Sequence, residues 1–86
     1  MIILNTRLNL AFNQRNIGLL LQLYRKRYDF KAAYVAKKIK LSNSYYSKLE
    51  NGRAELRMSQ LSAICMLYDI TPVEFYLHFC FKQQEA

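Results

Sequence analysis

The chain contains few of the residues that build turns, and this scarcity indicates its fold class. It has two glycines, one proline and no tryptophan in 86 residues. A β-sandwich or barrel needs a turn every few residues, and turns draw mainly on glycine, proline and short polar residues. A hydrophobic fraction of 52% excludes disorder caused by a lack of apolar residues. The composition therefore predicts one small all-α domain.

Cysteine and long apolar runs are also scarce. The two cysteines, Cys65 and Cys80, lie far apart in apolar segments and match neither a disulfide framework nor a zinc motif. No apolar run approaches the roughly 18 residues that a membrane span requires, and the N-terminus lacks a secretory-signal pattern. We therefore expect a reduced, soluble, cytoplasmic protein with no membrane partner, no metal and no cofactor.

Acidic residues are few, and the resulting excess of positive charge is local. Thirteen Lys and Arg against six Asp and Glu give a formal net charge of +7. Residues 25–57 alone carry +7, between nearly neutral ends. Concentrated positive charge is typical of proteins that bind polyanions, because contact with phosphates releases condensed counterions. Charge alone would fit a merely solvated surface equally well. The arrangement of the helices therefore has to distinguish a polyanion-binding surface from a solvated one.

Apolar residues spaced by three and four predict five helices. We expect them at residues 17–28, 31–39, 42–50, 59–68 and 71–82. Asn16 and Ser42 are the expected N-caps of the first and third helices. Thr71-Pro72-Val73-Glu74 combines a threonine cap, a proline at the first helical position and a glutamate at the third, which is a capping box. Gly52 suits a left-handed residue at the end of the third helix.

The first sixteen residues fit two structures. Apolar and polar side chains alternate between Ile2 and Asn13, which is typical of a strand, whereas Leu4, Leu8 and Phe12 also fit one face of a helix. We favour an extended arm, which could take part in dimerisation, because asparagines weaken a helix. Residues 83–86 are expected to fray.

The third predicted helix has one apolar and one polar side. At about 100° per residue, Tyr46 and Leu49 fall on one side and are expected to face the core. The other side is polar and nearly free of negative charge, and it consists of Asn43, Ser44, Ser47, Lys48 and Asn51. Such side chains can bond to base edges in the major groove, which admits one α-helix. An ordinary surface helix would more often carry Glu–Lys pairs. Two short helices joined by a tight turn, the second with this polar side, have helix-turn-helix geometry.

The segment from Val35 to Gly52 resembles the helix-turn-helix of the XRE and phage lambda-repressor family. Its ending, Ser-Lys-Leu-Glu-Asn-Gly, is the most recognisable part, and the similarity extends over about residues 17–76. The resemblance implies a compact five-helix DNA-binding domain at 17–82, with the helix-turn-helix at 31–50. It also implies a dimer on a two-fold symmetric operator, in a bacterial or phage system and associated with the nucleoid.

The resemblance and the charge distribution together assign roles to individual residues. Four are expected to face base edges: Asn43, Ser44, Ser47 and Lys48. Seven are expected to contact the phosphate backbone: Lys31, Lys37, Lys38, Lys40, Tyr45, Asn51 and Arg53. Glu50 is expected to be structural and paired with a nearby cation.

Three positions depart from the family pattern. Ala32 stands where the family often has a glutamine that contacts phosphate. Lys40 stands where the family favours glycine in the turn, so a positive φ is expected there. Tyr45 is bulkier than usual, and two roles are open for it: contact with a sugar or thymine methyl, or packing against the second helix.

The fifth helix has little polar circumference, which indicates a partner surface. We expect homodimerisation through Phe75, Tyr76, Phe79 and Phe81; the alternative is that the N-terminal segment covers this helix within one chain.

The predicted function is sequence-specific binding of double-stranded DNA by a dimeric repressor. The alternative is a protein-interaction module, antitoxin-like or scaffolding, with weak DNA binding. An enzyme is not expected, since no acid–base or metal set converges, and no small-molecule pocket is evident.

Overall fold

A computed structural model describes residues 13–85, with side chains through His78. Five helices follow one another in this part of the chain: α1 Gln14–Arg27, α2 Ala32–Lys38, α3 Asn43–Glu50, α4 Met58–Tyr68 and α5 Pro72–Glu85. No strand occurs between residues 13 and 85, so the all-α prediction is confirmed. The arm expected at residues 1–16 falls mostly outside the described residues, and only its last four can be compared.

The start of α1 differs from the prediction. The helix begins at Gln14 rather than Ile17, and its N-cap is Asn13, whose Oδ1 accepts a hydrogen bond from the Asn16 backbone N–H at 3.0 Å. Asn16 is therefore a helical residue and not the cap. Asn13 offers the same capping carbonyl oxygen one turn earlier, and the added turn brings Arg15 against the end of α3.

The capping box of α5 is confirmed. The Thr71 backbone N–H donates to Glu74 Oε1 at 2.9 Å, and the Glu74 N–H donates to Thr71 Oγ1 at 3.0 Å. The helix continues to Glu85, three residues beyond the expected end at Lys82. The helical backbone thus includes most of the tail at 83–86.

The first four helices all end in the same way. A residue with positive φ follows the last helical turn of each: Asp29 at 58°, Lys40 at 61°, Gly52 at 73° and Asp69 at 56°. Two nested backbone bonds close each end; after α2 they run from Leu41 N to Ala36 O and from Lys40 N to Lys37 O. This is the Schellman motif, in which glycine is the usual left-handed residue. The positive φ predicted at Lys40 is confirmed.

One apolar cluster joins the five helices. Its buried members come from every helix and from the end of α2: Leu20, Leu21, Tyr24, Val35, Ala36, Ile39, Tyr46, Leu49, Ile64, Cys65, Tyr68 and Phe75. Tyr46 and Leu49 are each 1% exposed, as their positions on the predicted helix required. The inner side of α3 is therefore part of the core.

Candidate nucleic-acid interface

The outer side of α3 is exposed along its full length of eight residues. The four side chains expected to face bases all lie on it and are accessible to solvent: Asn43, Ser44, Ser47 and Lys48. Ser42 caps the helix as predicted, because its Oγ accepts from the Tyr45 backbone N–H at 3.1 Å. The structure thus brings the predicted base-facing residues together on one free surface.

The two glycines of the chain lie where α1 crosses the end of α3. A Cβ atom on Gly18 would stand 2.5 Å from the Glu50 carbonyl oxygen and 2.6 Å from that of Leu49. A Cβ atom on Gly52 would stand 2.8 Å from Arg15 Cα. Only a residue without a side chain allows this approach of backbones. The position of α3 is therefore set by direct backbone contact with α1.

Polar bonds from α1 fix the same end of α3. Glu50 is buried, and its carboxylate accepts from Arg25 Nε at 2.6 Å and from Arg25 Nη2 at 3.1 Å. Gln22 Nε2 donates to the Glu50 carbonyl oxygen at 2.9 Å, so a carbonyl at the helix end receives a partner. The cation predicted for Glu50 is thus Arg25. Sequence reasoning missed Gln22, because its partner lies 28 residues away.

The charge of Glu50 affects its neighbours. The hydrogen bond from Arg25 raises the pKa of that guanidinium, although burial opposes the shift. The pKa of Tyr46 is also raised, first by burial and then by its hydrogen bond with the Glu50 carboxylate. Both side chains are protonated near neutrality even without these shifts, which extend that state to higher pH.

The outer side of α3 is rich in hydrogen-bond donors. Asn51 Nδ2 donates to the Ser47 carbonyl oxygen at 2.9 Å and contacts Ser47 Oγ at 3.3 Å. Because the Ser47 oxygen accepts there, its own O–H can point outward as a donor. Lys48 adds an ammonium one position further, and the acidic residue of α3, Glu50, is on the inner side.

Exposed cations surround α3. Lys37 lies on α2, Lys40 in the turn before α3 and Arg53 just after it, and all three are exposed. Lys38 is exposed too, with its Nζ 5.5 Å from the centroid of the Tyr34 ring, and Lys31 precedes α2. Exposed cations thus precede and follow α3 along the chain, and their contact with phosphate stays a prediction.

Tyr45 makes a contact that neither sequence-based interpretation included. Its hydroxyl donates to the Glu55 carbonyl oxygen at 3.0 Å, in the connection between α3 and α4. A tyrosine has one hydroxyl proton, and here that proton is used within the protein. The hydroxyl is therefore not available to donate to a phosphate, and contact of the rest of the Tyr45 side chain with the DNA backbone stays a prediction.

The expected interface on α5 also changes. Phe75 is 0% exposed and packs against Tyr24, with ring centroids 5.8 Å apart. It belongs to the core because α5 turns this side toward α1, so it offers no surface to a second chain. Tyr76 is half-buried, and the side chains of Phe79 and Phe81 lie outside those described. The exposed aliphatic residues of these two helices are Val73 and Leu77 on α5 and Leu19 and Leu23 on α1, and α4 exposes Met58 and Met66 as well.

The described part of the chain contains neither a cluster of metal ligands nor a membrane-spanning helix. Between residues 13 and 85, no three His, Cys, Asp or Glu side chains come close enough to hold a metal ion. None of the helices in that range is long and apolar enough to cross a bilayer.

Five short helices, with the polar side of the third one exposed beside a basic turn, define a helix-turn-helix DNA-binding domain. The helix-turn-helix family model matches residues 21–75, and the chain belongs to this XRE and lambda-repressor-like family of DNA-binding transcriptional regulators. No curated protein matches the sequence.

Two crystal structures of a similar fold are those of the clp gene regulator ClgR from Corynebacterium glutamicum. Their TM-scores are 0.74 and 0.72, and both are 20% identical to this chain. Each covers 80% of this chain, which in turn covers 73% and 90% of the respective ClgR chains. At this identity the similarity concerns the fold alone.

Proposed function

We propose that the protein is a sequence-specific repressor that reads the major groove of double-stranded DNA with α3. The observation that carries the proposal is the two-sided construction of this helix. Its inner side is fixed to α1 by the Gly18 contact and the Arg25–Glu50 pair, whereas its outer side is polar and exposed. An α-helix with its side chains is about 10–12 Å in diameter, close to the width of the groove.

The donor-rich chemistry of α3 favours particular bases. Lys48 and the Ser47 hydroxyl suit the O6 and N7 acceptors of guanine, and Asn43 can bond to both N6 and N7 of adenine. No carboxylate on the outer side of α3 is available to accept from cytosine. We therefore expect the operator to contain guanine opposite Lys48.

The surrounding lysines supply affinity without sequence preference. Lys37, Lys38 and Lys40 each add a charge-assisted contact to a phosphate, and each contact contributes to the salt dependence of binding. Arg53 acts in the same way beyond the end of α3.

We propose further that the protein is a homodimer on a two-fold symmetric operator. The exposed Val73, Leu77, Leu19 and Leu23 support an interface formed by α5 with α1. A two-fold axis through this surface would place two copies of α3 about one helical turn, roughly 34 Å, apart on the DNA.

Selection of bound sites from random duplex DNA tests the proposal. Enrichment of a two-fold symmetric motif that contains guanine is the expected result. On that motif, Lys48→Ala and Asn43→Ala should reduce the discrimination between cognate and random DNA by about 1–3 kcal/mol each. Lys37→Ala should weaken binding to all sequences evenly and flatten its salt slope.

Two results would contradict it. Equal losses on cognate and random DNA for all three variants would exclude base reading by α3. Weak binding at physiological salt without any enriched motif would instead favour the protein-interaction module, because a scaffold has no reason to select a sequence.

A further inference from the structure

The connection between α3 and α4 is an extended segment held at both ends. Its exposed residues, Arg53, Glu55 and Arg57, alternate with the half-buried Ala54 and Leu56, which pack against the core. The alternation directs two cations outward, on the side of the molecule where α3 ends.

The ends of this connection are fixed by the backbone and by a cap. At the start, the Arg53 N–H donates to the Lys48 carbonyl oxygen at 2.8 Å. At the end, the Arg57 N–H donates to Gln60 Oε1 at 2.8 Å. The middle is joined to α3 by the Tyr45 hydroxyl, which donates to the Glu55 carbonyl oxygen between the two arginines.

Tyr45 links this connection to the side of α3 that is proposed to face DNA. It lies three residues before Lys48, and residues at that spacing are neighbours on a helix surface. The ring of Tyr45 is half-buried against the core, which fixes its direction, while the hydroxyl extends to the connection. The bond therefore ties the two arginines to the frame of the helix that would enter the groove.

We propose that Tyr45 is a positioning residue, which holds Arg53 and Arg57 at the height of the phosphates that flank the groove occupied by α3. This role rests on the proposed DNA-binding function. Tyr45 acts through the arginines and makes no hydrogen bond to DNA itself, since its hydroxyl proton is donated to Glu55. It contributes to affinity on every sequence and to discrimination on none.

The first test is Tyr45→Phe, which keeps the ring and removes the hydroxyl. Binding to cognate and random duplexes should weaken by the same factor, about 3- to 10-fold, which is the usual effect of losing one hydrogen bond. The salt slope should become shallower by up to about one phosphate contact.

A matched control is Tyr28→Phe. The Tyr28 hydroxyl also donates to a backbone carbonyl, that of Tyr68 at 3.4 Å, but it lies at the end of α1. Its loss should leave the salt slope unchanged. A thermal melt of both variants separates loss of folding from loss of binding, and equal effects of the two substitutions on the salt slope would overturn the role of Tyr45.

A double-mutant cycle provides the decisive measurement. In a background of Arg53→Ala and Arg57→Ala, the further substitution Tyr45→Phe should weaken binding less than 2-fold, because nothing is left to position. An undiminished loss in that background would mean that Tyr45 contacts DNA directly, and would overturn the proposal. Wild-type binding that Tyr45→Phe does not alter would overturn this role alone, whereas absence of DNA binding by the wild type would refute the proposed function itself.

Discussion

Lys40 occupies a backbone conformation in which most L-residues are strained. Its φ is 61°, in the turn that joins α2 to α3, and a residue with a Cβ atom loses roughly 1 kcal/mol or more in this region relative to glycine. A lysine at this position places an exposed cation immediately before α3. At this residue, stability favours glycine, whereas a positive charge next to α3 requires the lysine.

Lys40→Gly should separate the two requirements. We expect the free energy of unfolding to rise by about 1 kcal/mol, since glycine relieves the strain, while DNA affinity falls evenly across sequences through the loss of a cation. Denaturant titration and binding at two salt concentrations measure the two effects. Lys40→Ala is the matched control, because it removes the same charge and keeps the Cβ atom. Equal stability of the two variants would contradict this explanation.

Gly18 has the opposite character, since its environment excludes any side chain. Gly18→Ala would place a methyl group 2.5 Å from the Glu50 carbonyl oxygen, so α1 and α3 would have to separate. We expect a loss of about 1–3 kcal/mol in stability together with weaker binding to cognate DNA, measured by denaturation and by mobility shift. Ser62→Ala, at an exposed position on α4, should change stability and binding little and serves as the control.

At the scale of elements, α5 depends on its first turn. Thr71→Ala removes the hydroxyl that accepts from the Glu74 N–H and should cost about 1 kcal/mol, the usual effect of losing an N-cap. Because α5 brings Phe75 into the core, the loss should appear as lower global stability in a chemical melt. Thr71→Ser keeps the hydroxyl and should restore most of it; if serine behaves like alanine, the cap contributes nothing.

Local signals in the sequence predicted most of the elements. The Thr71–Glu74 box, the Ser42 cap and the left-handed Lys40 and Gly52 all depend on residues within one turn of each other, so they can be found by spacing alone. The start of α1 was misplaced because Asn13 and Asn16 are equally good caps locally. In the structure the helix starts after the earlier cap, and the extra turn packs against the end of α3.

The contacts that hold α3 could not be predicted in the same way. Arg25 and Glu50 are 25 residues apart, and the basic end of α1 has a sufficient local explanation in the helix dipole. The residues around Gly18 do not show that glycine is required there, because the requirement comes from contact with α3, which is distant in sequence. The Tyr45–Glu55 bond depends on the path of an irregular connection, which no periodicity describes. The polar, exposed side of α3 was predictable, whereas the contacts that support the helix were not.

At the scale of the whole molecule, buried tyrosines link stability to pH. Burial raises the pKa of Tyr24 and of Tyr68 to about 12, and the Tyr68 hydroxyl has no hydrogen-bond partner within the described protein. A group whose pKa is higher in the folded state stabilises it fully below the unfolded value, near 10, and loses that contribution as the pH rises toward 12. The protein should therefore be destabilised between pH 10 and pH 12.

Tyr68→Phe tests this link in two ways. At pH 7 it should raise the free energy of unfolding by up to about 1 kcal/mol, because it removes a buried hydroxyl without a partner. Between pH 10 and pH 12 it should reduce the loss of stability by up to about 1.4 kcal/mol per pH unit, the contribution of one proton. Denaturant melts across this range give both quantities. An unchanged alkaline slope would show that Tyr68 ionises while folded.

The proposed dimer makes a prediction about assembly. Leu77 is 46% exposed on α5, and Leu77→Glu would place a charge in the proposed interface. We expect a monomer by analytical ultracentrifugation and a larger loss of affinity for a two-fold operator than for a half-site. Met66→Glu, on α4 and 80% exposed, should leave the dimer intact. A monomeric wild type, or dissociation by both substitutions alike, would contradict an interface on α5.

One side of α3 is packed against the core and α1, and the other is exposed. This arrangement has a consequence for how the protein could come to bind new DNA sequences. Substitutions of Asn43, Ser44, Ser47 and Lys48 remove no core residue and break no contact with α1. A library randomised at these positions should therefore consist mainly of folded members that differ in DNA preference. If α3 reads DNA as proposed, retargeting by mutation would draw on this small set, because substitutions of the buried Tyr46, Leu49 or Glu50 would destabilise the fold.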